Sequence, residues 1–130
     1  QGADPMQDLD LRMRVVPAFR HLAFEGVLSN EGLVAALTRL WASSDYAYDR
    51  DELYDLRGIT ASALDSSGVQ LAAALDLDLF ADAPHRRSAI VATSALHFGL
   101  ARMFQGYLGE REANVRVFGD FDEAVAWLGT

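Results

Sequence analysis

The sequence contains no cysteine, no cluster of cationic residues and no hydrophobic run long enough to span a bilayer. Without cysteine, disulfides, thiol catalysis and cysteine-ligated metals are excluded, and this composition is typical of a cytoplasmic protein. No signal peptide is visible either. We therefore expect a cytoplasmic protein that does not insert into a membrane.

The net charge of -8 also limits the classes of partner. Nucleic acids and anionic membrane surfaces both require clustered cations, so neither is expected to bind. At 130 residues, 51% of them hydrophobic, the chain is long enough to bury one core. Residues 1–5 precede Met6 and are interpreted as an expression scar, which leaves 6–130 as a single domain.

Five segments carry strand patterns. Leu11, Met13 and Val15 alternate with polar residues, whereas Ser88–Ala92 is a continuous apolar run of the kind found in buried parallel strands. The predicted strands are 11–16, 19–25, 52–56, 88–92 and 114–118. The short break at Pro17 predicts that the first two strands form an antiparallel hairpin.

Four segments carry helical spacing or helix-start signals. The predicted helices are 30–42, 65–80, 95–108 and a last one that Asp120 caps. Alternating strands and helices after a hairpin predict right-handed parallel crossovers. The expected fold class is therefore α/β, with a mixed five-stranded sheet covered by four helices.

The second helix carries leucines four residues apart, so Leu71, Leu75 and Leu79 are predicted to lie on one face, with Ala72 and Ala73 beside them. Asp76 and Asp78 have no third ligand at matching spacing, so we interpret them as a solvated helix end and not as a metal site. The full set of predicted core residues is Leu33, Leu37, Leu56, Leu75, Ile90, Val91, Leu100, Val117 and Val125.

No nucleophile–base–acid set and no phosphate-binding glycine motif is apparent, so we expect neither an enzyme nor a cofactor. His97 lies between apolar neighbours and is interpreted as a structural histidine. Asp55 has two interpretations. It lies where parallel sheets place their sites, if its strand ends there, or it accepts a hydrogen bond from a nearby backbone N–H.

The segment Asp65-Ser66-Ser67-Gly68 stands at the predicted start of the second helix. Free N–H groups and the helix dipole would favour an anion there, including a phosphate on Ser66. Asp and Ser are also common at helix starts for stability alone, so a purely structural role as caps stays open.

This segment resembles the DSSG motif of STAS domains, in whose anti-sigma-factor antagonists the first Ser of the motif is phosphorylated. Asp55-Leu56 is similar to the strand end that precedes the motif, and 59–64 would form a loop slightly longer than the family's. FEGVLSNEGL, YDLRGIT, SALHFGLARMF and VRVFGDFDEAVAWL resemble the SpoIIAA-like branch with STAS/SEC14-type folds. The resemblance implies a mixed sheet covered by helices, and often a dimer.

The third helix is apolar on two sides, so one side needs a cover other than the sheet. We expect a homodimer, with Phe98 and Phe104 turned away from the sheet, and we name Phe98, Arg102, Met103 and Phe104 as candidates for a ligand or dimer surface. Two hypotheses follow. The first is a regulatory module that docks a protein partner, and the second is a carrier or sensor of a small apolar or lipid-like ligand, with Phe98, Met103 and Phe104 as pocket walls.

Overall fold

The structure, a computed structural model, describes residues 9–44, 46, 50–82 and 86–130. The interpretation of 1–5 as a scar lies outside the described residues. In chain order the elements are β1 (Leu9–Val15), β2 (Phe19–Leu28), α1 (Asn30–Ala42), β3 (Asp51–Ser62), α2 (Ser66–Leu79), β4 (Ser88–Val91), α3 (Ala95–Gly106), a 3-10 helix (Gly109–Asn114), β5 (Val115–Phe118) and α4 (Phe121–Leu128). This order confirms the predicted fold class.

The strands form one sheet in the order β1-β2-β3-β4-β5. β1 and β2 are antiparallel, as the break at Pro17 predicts, and every later pair is parallel. Each parallel connection contains a helix, because parallel neighbours need a crossover.

The helices divide between the two faces of the sheet. Side chains of α1, α2 and α3 pack on one face in two adjoining clusters, which include Phe24, Leu37 and Ile90. On the other face α4 packs through Ala124 and Leu128. Hydroxyl or carboxylate caps begin each of the four α-helices: Ser29, Asp65, Ser94 and Asp120 accept from backbone N–H groups.

β3 is longer than predicted. It continues past Leu56 to Ser62, so the strand end at 56 and the loop over 59–64 were wrong. β2 stays paired with β3 along this extension through two register shifts. Gly58 makes the pairing possible, since a Cβ there would lie 2.7 Å from the carbonyl oxygen of Phe24.

The face of α2 that carries the three leucines is not its buried face. Leu71 and Leu79 are exposed, and Leu75 is half-buried. The buried face carries small and polar residues instead: Gly68, Val69, Ala72, Ala73 and Asp76. The helix thus lies against its neighbours through short side chains, which cannot fill the space beneath it.

Three of the nine predicted core residues, Leu37, Ile90 and Val91, are buried. The other six are half-buried: Leu33, Leu56, Leu75, Leu100, Val117 and Val125. Several of these six contact a space under α3 that protein atoms leave unfilled.

Candidate functional site

An apolar pocket of about 80 Å³ lies between the sheet and α1, α2 and α3, and it is partly open to solvent. Side chains from every one of these elements form its walls, among them Phe24, Leu37, Tyr54, Val69, Ile90 and Phe104. Protein interiors leave few voids larger than a water molecule, so a space of this size is a feature of the molecule that needs an explanation.

Two properties of the helices leave this space. Ala72 of α2 lines the pocket with no more than a methyl group. α3 buries a single residue, Ala101, while Leu100 and Phe104 reach the pocket from half-buried positions. α3 therefore covers the pocket while most of its own residues stay half-buried or exposed.

Four polar side chains also line the pocket: Asp76, Ser88, His97 and Arg111. Arg111 joins two of the others, because it donates to Asp76 Oδ1 at 2.9 Å and to Ser88 Oγ at 2.8 Å. His97 differs from them. Its Nε2 atom is buried and has no hydrogen-bond partner among the described residues.

The bonded polar groups belong to a buried ionic network. Asp76 lies between Arg86 and Arg111, at 3.0 and 2.9 Å, so its interpretation as a solvated helix end was wrong. Arg86 also pairs with Glu52, whose Oε1 accepts from the Tyr54 hydroxyl at 2.8 Å. Burial raises the pKa of Asp76, and the Arg111 charge opposes that rise.

Burial, reinforced by the nearby Tyr46 and Asp76, raises the pKa of Tyr54 well above its usual value. Tyr54 therefore stays a neutral phenol that donates to Glu52 and accepts from the Trp41 indole N–H at 3.3 Å. Each buried charge of this network has a partner of opposite charge, which is the condition for placing ions in a core.

Asp55 lies in the middle of β3 because the strand continues beyond it, so it does not mark a strand end. One carboxylate oxygen accepts from His21 Nε2 at 2.9 Å, and the other accepts from the Arg57 backbone N–H at 3.0 Å. The Arg57 guanidinium spans both oxygens, at 2.9 and 2.8 Å, and stacks over Phe121 at 4.2 Å. Burial alone would raise the pKa of Asp55, but the hydrogen bonds from Arg57 and His21 outweigh it and lower the pKa.

The His21–Asp55 contact was not anticipated from the sequence, since the two residues lie 34 positions apart on separate strands. The parallel register of β2 and β3 brings them together. Arg57, which bonds to Asp55, and Phe121, whose ring contacts His21, lie beside this pair, and neither is a nucleophile. The arrangement is therefore an ion-pair cluster.

At the start of α2, Asp65 caps the helix by accepting from the Ser67 N–H at 2.9 Å. Asn30 of α1 donates to Asp65 at 2.9 Å and accepts its backbone N–H at 3.0 Å. The hydrogen bond from Asn30, followed by that from Ser67, lowers the pKa of Asp65. Ser66 and Ser67 are exposed, whereas Gly68 is buried against Asn30.

Of the four residues singled out on α3, Phe104 lines the pocket and packs on the core, so its expected orientation away from the sheet was wrong. Phe98 is half-buried, and Arg102 and Met103 are exposed. Of the three residues predicted as pocket walls, Phe104 lines the pocket, whereas Phe98 and Met103 do not. His97 and Leu100 of the same helix line it instead.

The described ranges contain neither a candidate metal site nor a candidate membrane-spanning helix. No group of three or more His, Asp or Glu side chains is placed to hold a metal ion there. Likewise, within those ranges, none of the helices has the length and apolar character needed to cross a membrane.

The described chain has a mixed sheet with one N-terminal hairpin, three helices on one face and a fourth helix on the other. This arrangement matches a SpoIIAA-like α/β fold. A solved structure of this fold, an uncharacterized protein of the DUF3478 family from Shewanella loihica PV-4, is similar over 92% of this chain and 93% of its own. The TM-score is 0.55 and the sequence identity is 17%. No family model and no curated protein matches the sequence. The resemblance to the SpoIIAA-like branch is thus confirmed at the level of the fold.

Proposed function

We propose that this protein is a non-enzymatic STAS-like module that binds a small apolar ligand in the pocket under α3. The observation that carries the proposal is the pocket itself, an apolar space of about 80 Å³ within an otherwise packed core. Ligand sites are typically concave, mostly apolar and provided with few polar groups, and this pocket has each of these properties.

The volume limits the ligand. Engineered apolar cavities of about 150 Å³ bind benzene, so this pocket encloses roughly half of that space. The ligand therefore has a slim or small apolar part that occupies the pocket, and the remainder of it lies in the opening toward solvent. Leu100 and Phe104 line the pocket from α3, so a bound ligand would also bury apolar surface of that helix.

Native mass spectrometry of the protein, purified from the cells that make it, tests the proposal by detecting a retained small molecule. In Leu100→Trp the larger side chain, placed at the pocket wall, should abolish retention. Arg102→Trp is the matched control, because Arg102 lies on the same helix but is exposed outside the pocket. Equal ligand loss from both variants, or no bound molecule in wild type at any protein concentration, would contradict the proposal.

A second candidate function is docking of a regulatory protein partner at the start of α2. The observation that favours it is the exposure of Ser66 in the first turn of α2, next to the cap residue Asp65. A phosphate on Ser66 would meet free N–H groups of the helix start and would add negative charge to the surface. Leu64 and Val69, on either side of this segment, both line the pocket, so ligand and partner would act on neighbouring parts of one structure.

Intact-mass analysis of the same cellular protein tests this second function. A phosphorylated form should be present in wild type and in Ser67→Ala, and it should disappear in Ser66→Ala. If phosphate persists in Ser66→Ala, the modified residue is a different one, and the support for docking at Ser66 is lost.

A further inference from the structure

His97 is the polar residue that α3 contributes to the pocket wall. It lines the pocket together with Leu100 and Phe104, and its Nε2 atom is buried. This atom makes no hydrogen bond with any of the described residues. The other polar wall residues already have partners, since Arg111 is bonded to Asp76 and Ser88.

A buried polar atom without a partner is unusual and unfavourable. Most buried polar side-chain atoms in proteins have at least one hydrogen bond, and an atom that lacks one loses its interaction with water without replacement. An apolar side chain at position 97 would avoid this penalty. A ligand that offers one hydrogen bond at Nε2 would remove it as well, and because water does not reach this atom in the structure, such a ligand has to displace a neighbouring side chain when it binds.

We propose that the ligand of this pocket carries a hydroxyl group, alcoholic or phenolic, on an otherwise apolar body, and that this hydroxyl hydrogen-bonds to Nε2 of His97. The inference rests on the pocket being the ligand site, as proposed above. A neutral imidazole presents Nε2 either as donor or as acceptor, depending on its tautomer, and a hydroxyl can match both. The body of the ligand meets side chains such as Phe24, Leu37 and Ile90, which offer it apolar contact.

Phenol and toluene are suitable probes, because they differ by a hydroxyl in place of a methyl group and have nearly the same shape. Their dissociation constants can be measured by NMR titration of the full chain, with the indole N–H of Trp41 in the pocket wall as reporter. In His97→Leu, phenol should bind about two- to tenfold more weakly relative to toluene than in wild type, the range that one net hydrogen bond supports.

Two further variants separate loss of the hydrogen bond from damage to the pocket. His97→Gln keeps a side chain that can donate and accept, so it should restore part of the preference for phenol. Arg102→Ala changes an exposed residue of the same helix and should leave both dissociation constants unchanged.

The outcomes distinguish this inference from the proposed function. Toluene binding at the Trp41 reporter with the same phenol-to-toluene ratio in wild type and His97→Leu would overturn the hydroxyl ligand and leave the apolar site intact. If neither probe shifts the Trp41 signal at its solubility limit, both the hydroxyl ligand and the pocket as a binding site are contradicted.

Discussion

Asp76 is the residue on which the charge balance of the core depends. It is 2% exposed and contacts two arginine side chains, Arg86 and Arg111, which are themselves 6% and 5% exposed. A buried guanidinium is tolerated only where a carboxylate and further hydrogen bonds replace its hydration. The network also fixes one wall of the pocket, because Asp76 and Arg111 both line it.

Asp76→Asn should destabilise the protein by about 3–5 kcal/mol, the range for breaking a buried ion pair by removal of one partner. The amide keeps the shape of the side chain but removes its negative charge. The buried guanidinium groups of Arg86 and Arg111 then lose the carboxylate that they share. Urea unfolding measures the change in the free energy of unfolding.

Asp78→Asn is the control for this substitution, since Asp78 is two residues further along α2 and exposed. It should change the free energy of unfolding by less than about 0.5 kcal/mol. Similar losses in the two variants would show that the network around Asp76 contributes little to stability.

Asp55 should make the protein sensitive to acid. Its pKa in the folded state is lower than the ordinary value of 3.8, because Arg57 and His21 stabilise the carboxylate. A carboxyl group whose pKa is depressed by folding contributes stability above its unfolded pKa, and this contribution is lost as the pH falls through the folded pKa. The protein should therefore lose this part of its stability below about pH 3.8.

Asp55→Asn should cost about 1.5–3 kcal/mol at pH 7, as expected for the loss of hydrogen bonds to a charged group. The difference between wild type and variant should shrink as the pH is lowered toward and below 3.8. Urea unfolding at several pH values measures both effects. A difference that stays constant from pH 7 to pH 3 would show that the charge on Asp55 does not stabilise the fold.

At the scale of the elements, the starts of α1 and α2 are joined. Asn30, the first residue of α1, exchanges two hydrogen bonds with Asp65, the cap of α2. Gly68 allows this approach, because a Cβ at this position would lie 2.2 Å from Asn30 Oδ1 and 2.7 Å from Leu64 Cδ1. In this segment Asp65 and Gly68 hold the helices together, whereas Ser66 and Ser67 face outward.

Gly68→Ala should therefore destabilise the protein, by about 1–3 kcal/mol, as for other substitutions that overfill a packed position. Gly99→Ala is the matched control. Gly99 also lies in a helix, but a Cβ there meets nothing within 4 Å, so alanine should stabilise by roughly 0.5–1 kcal/mol. Thermal unfolding of the two variants should show midpoint shifts of opposite sign, and a stabilised Gly68→Ala would contradict the close packing of α1 and α2.

At the scale of the whole molecule, the exposed large hydrophobic side chains of the described residues lie on α2, α3 and their ends, with the exception of Val15. Leu71 and Leu96 are each 58% exposed. The other exposed large apolar side chains of these helices and their ends are Leu77, Leu79, Met103 and Tyr107. Soluble monomers seldom leave such surface uncovered, and two-fold dimers are the commonest assembly that covers it.

We accordingly expect a homodimer in which α3 contributes to the contact, with a sedimentation mass of twice 14.2 kDa. Leu96→Glu should shift the equilibrium toward monomer, because it places a charge in the buried contact. Val15→Glu, at an exposed apolar position of β1, should leave the mass unchanged. A mass of 14.2 kDa for wild type across a wide concentration range would contradict the dimer.

The sequence by itself determined the order and type of the elements and the class of the fold. Apolar alternation in β1, the continuous apolar run in β4 and the caps Ser29, Asp65, Ser94 and Asp120 are local signals, read over one or two turns or a few strand residues. Such signals decide which segments form helices and strands, because backbone conformation depends mainly on near neighbours along the chain.

The tertiary structure alone decided which faces are buried and where a ligand would fit. Asp76 is buried because Arg86 and Arg111 converge on it from other parts of the chain, and β3 extends to Ser62 because β2 continues to pair with it. The pocket lies where Ala72 of α2 and the half-buried Leu100 and Phe104 of α3 leave space against the sheet, and Nε2 of His97 in its wall is buried without a hydrogen bond to the described residues. Burial and cavities depend on the sum of contacts between distant segments, and the spacing of residues along a single segment does not contain that sum.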